Sequence, residues 1–170
     1  MTGGAERHRA DGAARGPLAV ALITVSDTRT PETDVNGRYL AEAVDARGDR
    51  VVHAAIVPDD PERVLRALDD ALAAGAEAVV VNGGTGIASR DTTFDALSAR
   101  FERTLPGFGE LFRMLSWEQV GPAAMLSRAA AGTVGRCVVF STPGSPKAVR
   151  LAWERLIAPE LGHVVAELHH

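Results

Sequence analysis

The chain has 170 residues, 46% of them hydrophobic and 24% charged, with a formal net charge of −4. That balance belongs to an ordinary globular chain, long enough for one domain whose core needs no covalent staple, and its mild acidity excludes the broad basic surface of a dedicated nucleic-acid binder. The single cysteine, Cys137, excludes an internal disulfide framework and a cysteine-rich zinc site.

Residues 1–16, MTGGAERHRADGAARG, mix glycine, alanine, arginine and acids with no apolar period, and read as a disordered leader ahead of one domain over 17–170. No apolar signal segment follows Met1. The longest apolar run, 18–25, is broken only by Thr24 and falls far short of the roughly 20 residues that a membrane helix needs. A cytoplasmic protein with no membrane and no nucleic-acid partner is expected.

From Pro17 the pattern changes to short apolar runs separated by helical stretches. The runs 18–25, 51–57, 78–81 and 137–140 lack strict alternation, which suits strands covered on both faces of a parallel sheet. Helices are predicted over 34–47, 61–74, 92–101, 108–117, 122–131 and 146–157. In the second of these Val64, Leu65, Leu68, Ala71 and Leu72 share one face, with Arg66, Asp69 and Asp70 opposite. Asp60 supplies its N-cap, Pro61 its first turn and Gly75 its stop. Strands alternating with helices make βαβ units, and hence an α/β sheet with helices on both faces.

Each strand is followed by residues able to do chemistry. After Val25 come Ser26 and Asp27; after Val57, Pro58, Asp59 and Asp60; after Val81, Asn82, Gly83, Gly84, Thr85 and Gly86; after Phe140, Ser141, Thr142, Pro143, Gly144 and Ser145. In a parallel sheet these segments share the carboxyl edge, where open α/β sheets bind ligands. The Gly83–Gly86 turn could bring several N–H groups onto phosphate oxygens, or could simply be a tight turn into a helix. It fits neither a dinucleotide fingerprint, since Ser89 stands where the third glycine belongs, nor a P-loop, which needs Gly-Lys-Ser/Thr.

Asp91 is open to two readings, an N-cap of the helix predicted from Thr92 or a carboxylate holding Mg²⁺ beside the glycine turn. Asp60 has a capping position, whereas Asp59 has no structural duty evident from its place in the sequence. Asp27 could do no more than close an Asx-turn. Ser145 is expected to cap the helix from Pro146, an end that also suits an anion. Cys137 falls inside an apolar run and reads as a core thiol. Phe108, Leu111, Phe112, Met114, Leu115, Trp117 and Met125 concentrate bulky apolar side chains in one stretch, to be explained by core packing or by a subunit interface.

Taken together, the motifs Val25-Ser26-Asp27-Thr28-Arg29, Val57-Pro58-Asp59-Asp60, Asn82-Gly83-Gly84-Thr85-Gly86 with Ser89-Arg90-Asp91-Thr92-Thr93, Leu105-Pro106-Gly107-Phe108-Gly109-Glu110-Leu111-Phe112-Arg113, Ser127-Arg128 and Pro143-Gly144-Ser145 resemble the MoaB/MogA family of molybdenum cofactor biosynthesis proteins. The order is kept from about Leu18 to Leu168, and the stretch from Ala148 to His163 looks more like the MoaB branch. The resemblance implies a three-layer α/β/α fold with a mostly parallel central sheet, in a homotrimer or homohexamer. It also implies molybdopterin binding and, with Mg²⁺ and ATP, adenylylation of molybdopterin ahead of molybdate insertion. On the same resemblance Asp59 and Asp91 are the catalytic pair and the Mg²⁺ ligands, acting through phosphates. Gly83, Gly84, Thr85 and Gly86 cradle the nucleotide phosphates, and Ser26, Asp27, Arg90, Glu110, Ser127, Arg128, Pro143, Gly144 and Ser145 fall on pocket motifs. A protein of the same pathway that binds molybdopterin without catalysis is the alternative. Two motif positions depart from the family pattern: Thr93-Phe94-Asp95 follows Asp91 in place of Thr-Pro-Glu, and Thr142 precedes Pro143.

Overall fold

Every residue of β1 (Ala19–Val25) and of β3 (Ala78–Asn82) is buried, as continuous apolar runs require of strands covered on both faces. The computed structural model describes residues 16–89 and 91–169; the expected leader, up to residue 15, and Arg90 lie outside the described residues. β2 (Arg50–Val57), β4 (Arg103–Thr104), β5 (Ala130–Val134) and β6 (Cys137–Thr142) complete a six-stranded sheet in the order β2-β1-β3-β6-β5-β4. β2, β1, β3 and β6 are parallel, and β5 and β4 extend the sheet antiparallel. The four predicted strands are the four parallel ones.

The helices are α1 (Val35–Ala46), α2 (Pro61–Ala73), α3 (Thr93–Arg100), α4 (Pro106–Val120), α5 (Pro146–Ala152) and α6 (Ala158–Leu168). Period-2 alternation along β1 sends Val20 and Leu22 to one side, where they pack with Leu40 and Val44 of α1, Phe112 of α4 and Leu161 of α6. Ala21, Ile23 and Val25 face the other way, onto Val64 and Leu68 of α2 and Leu97 of α3. The expected three-layer α/β/α architecture follows. Asp60 caps α2 by accepting from the Arg63 N–H at 2.9 Å, and α2 begins at Pro61, both as read from the sequence.

Three expectations need correction. β2 is an edge strand, with residues half-buried or exposed and a register irregularity opposite Val20/Ala21, so it is not covered on both faces. Instead of a helix over 122–131 the chain makes a 3₁₀ segment, Gly121–Leu126, and then β5. The alanines there favour helix locally, but the Gly135-Arg136 link overrides them. Gly135 has φ +58°, as the first central residue of a two-residue type II′ hairpin requires, and Val134 pairs with Cys137 across it. The last helix does not stop at Ile157. Pro159 cannot donate to a carbonyl one turn back, and the chain passes it through a π-helical turn, Trp153–Ile157, closed by the Ala158 N–H on the Trp153 carbonyl.

Among the described residues no helix is long and apolar enough to cross a membrane.

Candidate functional site

From β1 the chain crosses to β2 on one side and then to β3 on the other, so the sheet reverses its winding between β1 and β3. The loops leaving such a pair of strands diverge and leave a crevice. Here it is a cleft of about 250 Å³ lined by Val25, Ser26, Asp27, Thr28, Asp59, Gly84 and Asp91. Residues that leave β1, β2 and β3 thus share one cavity. The end of β6 supports it from below: the Gly83 N–H donates to the Thr142 carbonyl at 2.9 Å, and a Cβ on Gly144 would lie 3.2 Å from the Gly83 Cα.

Asp59 does have a structural duty, contrary to the expectation. Its Oδ1 accepts from the Thr92 N–H at 3.2 Å, the Thr92 hydroxyl at 3.1 Å and the Thr93 hydroxyl at 3.0 Å. These bonds tie the end of β2 to the start of α3. Oδ2 accepts nothing among the described residues and lies 2.9 Å from where a Cβ of Gly84 would be. Gly84 has φ +64°, and that Cβ would also collide with Thr93, so only glycine lets the turn pass this closely under the carboxylate.

Asp91 is not the helix cap; Thr92 holds that position, with no side-chain bond to the amides of the first turn. Instead Asp91 Oδ2 accepts from the Ala88 N–H at 2.9 Å, and the Asp91 N–H donates to the Ala88 carbonyl at 2.9 Å. This folds the loop back so that the carboxylate occupies the space a side chain at Gly86 would fill. Asp91 Oδ1 accepts nothing among the described residues. Asp27 does not close its own Asx-turn either: its Oδ1 accepts from the Asp59 N–H at 3.1 Å, joining the β1 and β2 ends. Ser26 Oγ accepts from the N–H groups of Thr28 and Arg29 at 3.3 and 3.1 Å.

The N–H groups of Gly84, Thr85 and Gly86 donate to no acceptor among the described residues. Thr85 is buried, Gly84 half-buried and Gly86 exposed. A run of unpaired amides beside two open carboxylate oxygens is equipped for an anion that arrives with a cation.

The other predicted positions lie farther out. Glu110 and Ser127 line a separate cavity of about 300 Å³ with Phe94, Arg113 and Arg128. Arg128 reaches from there toward the cleft, donating through Nε to the Gly86 carbonyl at 3.0 Å and through one terminal nitrogen to the Asp91 carbonyl at 2.6 Å. Ser145 caps α5 by accepting from the Ala148 N–H at 3.2 Å, and Pro143 and Gly144 form the turn before it. Burial, and secondarily the Glu77 charge, push the Cys137 thiol up to about 12, consistent with a core thiol and not a nucleophile.

Sequence reasoning assigned no role to a buried amide pair that holds the strand ends in place. Asn36 Nδ2 donates to Asn82 Oδ1 at 2.9 Å and to the Gly144 carbonyl at 2.8 Å, while Asn82 Nδ2 donates to the Thr24 hydroxyl at 3.0 Å. One network thus links α1 with the ends of β1, β3 and β6. The available signal was an asparagine ending an otherwise apolar strand run. A larger cavity, about 670 Å³, opens across the β1–α1 loop, with Leu22, Ala41, Ala54 and Ile56 in its walls. The smaller cleft gathers Asp27, Asp59 and Asp91 around Gly84, and its chemistry singles it out.

Comparison with known proteins gives the chain its family. The family described as a probable molybdopterin binding domain matches residues 21–163. Molybdenum cofactor biosynthesis protein B of Bacillus cereus is 51% identical over 150 residues, which cover 87% of this chain and 89% of the relative. The crystal structure of the tungsten cofactor synthesizing protein MoaB from Pyrococcus furiosus superposes with a TM-score of 0.84 at 38% identity, covering 92% of this chain and 100% of that one. A MogA structure superposes with a TM-score of 0.80 at 30% identity, covering 88% and 99%.

Proposed function

The chain belongs to the molybdopterin-binding family of MoaB and MogA, proteins of molybdenum cofactor biosynthesis, and from that premise we propose that it adenylylates molybdopterin with Mg·ATP. The observation that carries the reading is the cleft itself, which Asp59, Asp91 and Gly84 line together, on a turn whose Gly84, Thr85 and Gly86 N–H groups donate to no acceptor among the described residues.

In the proposed reaction an oxygen of the molybdopterin phosphate attacks the α-phosphorus of ATP. A new P–O bond forms, the bond to the bridging α–β oxygen breaks, and pyrophosphate leaves with that electron pair. The nucleophile is already anionic, so no general base is required, and no histidine lines the cleft. The site needs alignment and relief of charge repulsion. The glycine amides supply fixed dipoles for phosphate oxygens, and Ser26 and Asp27 add to the lining of the cleft.

Two hard carboxylate oxygens fit Mg²⁺, which takes one or two carboxylates and completes its shell with substrate phosphates and water. Among the described residues no three His, Cys, Asp or Glu side chains converge as a metal site, so the protein alone offers only part of a shell. Asp59 and Asp91 would hold the ion, which supplies charge neutralisation on the phosphates. ATP as co-substrate puts this reaction in the cytoplasm.

Incubation with molybdopterin, ATP and Mg²⁺, followed by mass analysis, tests the proposal. Adenylylated pterin and stoichiometric pyrophosphate are expected. Pterin retained without an ATP-dependent product would leave a binding protein of the same pathway. The working unit we infer is a homotrimer or homohexamer, supported by an exposed apolar face on α4 and the 3₁₀ segment, where Met114 and Trp117 are each 60% exposed and Met125 78%.

A further inference from the structure

We infer that Arg128 is a positioning residue for Asp91 and not a phosphate-binding cation. The inference rests on the reading of Asp91 as a ligand of the Mg·ATP site and adds the part that keeps Asp91 in place.

All three guanidinium nitrogens of Arg128 are engaged within the protein. Nε donates to the Gly86 carbonyl at 3.0 Å, one terminal nitrogen to the Asp91 carbonyl at 2.6 Å, and the other to both carboxylate oxygens of Asp95 at 3.2 and 3.0 Å. The guanidinium carbon also lies 4.7 Å from the centre of the Phe94 ring, which fixes the plane of the fork. The side chain is only 26% exposed, and these bonds leave at most one or two of its five N–H donors for a phosphate.

The two carbonyls that it holds belong to the first and last residues of the Gly86–Asp91 loop. Inside the loop, the Ala88–Asp91 pair sets the fold of the turn. That pair spans only residues 88–91 and does not tie Gly86 to Asp91. Arg128 bridges those ends from a different part of the chain, between the 3₁₀ segment and β5, and Asp95 and Phe94 on α3 hold Arg128 in turn. A planar five-donor fork can grip two carbonyls and a carboxylate together; a lysine ammonium, a point charge on a flexible stem, cannot.

The experiment compares Arg128→Lys and Arg128→Gln, alone and combined with Asp91→Asn. Arg128→Lys is expected to lower turnover at least tenfold and to raise the Mg²⁺ concentration for half-maximal rate, because charge is kept but the fork is lost. In the Asp91→Asn background the same change is expected to cost less than twofold of the residual rate, since a residue acting through Asp91 has nothing left to position. Near-normal turnover in Arg128→Lys, or an equal loss in both backgrounds, would overturn the inference and make Arg128 dispensable or a direct phosphate contact.

Hydrogen exchange supplies a readout independent of activity. Both Arg128 variants are expected to speed exchange at the hydrogen-bonded amides of the 84–93 segment, Ala88, Asp91 and Thr92, at least tenfold and leave the β1 and β3 amides unchanged. If the wild type makes no adenylylated product, the adenylylation reading fails and this exchange result alone decides the positioning role: unchanged exchange in 84–93 rejects it.

Discussion

The two oxygens of Asp59 have different neighbours. Oδ1 accepts three hydrogen bonds from Thr92 and Thr93, while Oδ2 faces Gly84 and the cleft. Asp59→Asn keeps an acceptor for the threonines, so unfolding in urea should stay within about 1 kcal/mol of wild type. Pyrophosphate release is expected to be lost, because an amide is a poor ligand for a phosphate-bound cation. Asp59→Ala removes the acceptor as well, and the hydroxyl of Thr93, 0% exposed, is left unpaired. That variant should be destabilised by about 1–3 kcal/mol. Equal stability of the two variants would remove the structural half of this division. Cys137 makes a separate residue-scale case. Its thiol is pushed from 9.0 to about 12, chiefly by burial, so the native state keeps its proton where the unfolded chain has lost it. The contribution to stability is complete below about pH 9 and is lost as pH climbs toward 12. Tyr39, raised to about 12 by burial and by Glu154, works in the same direction. The urea midpoint should therefore fall through that window, and a small thiol reagent at pH 8 should label Cys137 only after denaturation.

At the scale of elements, the cleft depends on three strand ends being held in fixed relation, and the Asn36–Asn82 pair does this from inside. Asn82 is 1% exposed and Asn36 6%. Asn82→Ala deletes bonds to Asn36 and Thr24 together and leaves their polar atoms buried without partners. A loss of about 1–3 kcal/mol in urea unfolding is expected, with faster hydrogen exchange at the ends of β1 and β6; an unchanged midpoint would mean that packing alone aligns the strands. The parallel strands were legible because doubly covered strands carry continuous apolar runs, and α2 because its period, cap and stop agree. β5 was not, since Ala130, Ala131 and Gly132 have no strand propensity of their own and take strand geometry from pairing with β6. α6 was not legible either, because Pro159 ends a helix by local rules and is accommodated only through the π-helical turn. In the site, the shared edge of Asp59 and the glycine turn was readable from strand-end positions, while the pairing of Asp59 with Asp91 was implied by the family resemblance. The hydrogen bonds of Asp59 to Thr92 and Thr93 and the reach of Arg128 were not. Both are contacts between segments more than 30 residues apart, and no local pattern encodes them.

For the whole molecule, the distribution of apolar surface is the feature that the single chain leaves unexplained. The sheet is covered by helices on both faces, yet Leu111, Met114, Trp117, Val120, Met125 and Leu126 are all at least 46% exposed, and all lie on α4 or the 3₁₀ segment that follows it. Scattered exposed leucines are normal in a monomer, whereas six large apolar side chains on adjoining elements form the kind of patch that marks an interface. Trp and Met are enriched at such interfaces. The inner side of the same helix, Phe108, Phe112 and Leu115, packs into the core, so α4 has an apolar face in each direction and needs something on its outer one. A second and third copy of this chain would cover it and accord with the inferred trimer or hexamer. Trp117→Glu and Met125→Glu place a charge on that face without touching the core or the cleft. Each is expected to shift the species seen by sedimentation from an oligomer to a 170-residue monomer with an unchanged circular dichroism spectrum. An oligomer that persists in both variants would place the subunit contact on another surface, and a wild type that sediments as a monomer would reject the assembly outright. If the variants become monomers and still bind ATP, the cleft is complete within one chain; loss of ATP binding together with the oligomer would mean that a neighbouring copy completes it.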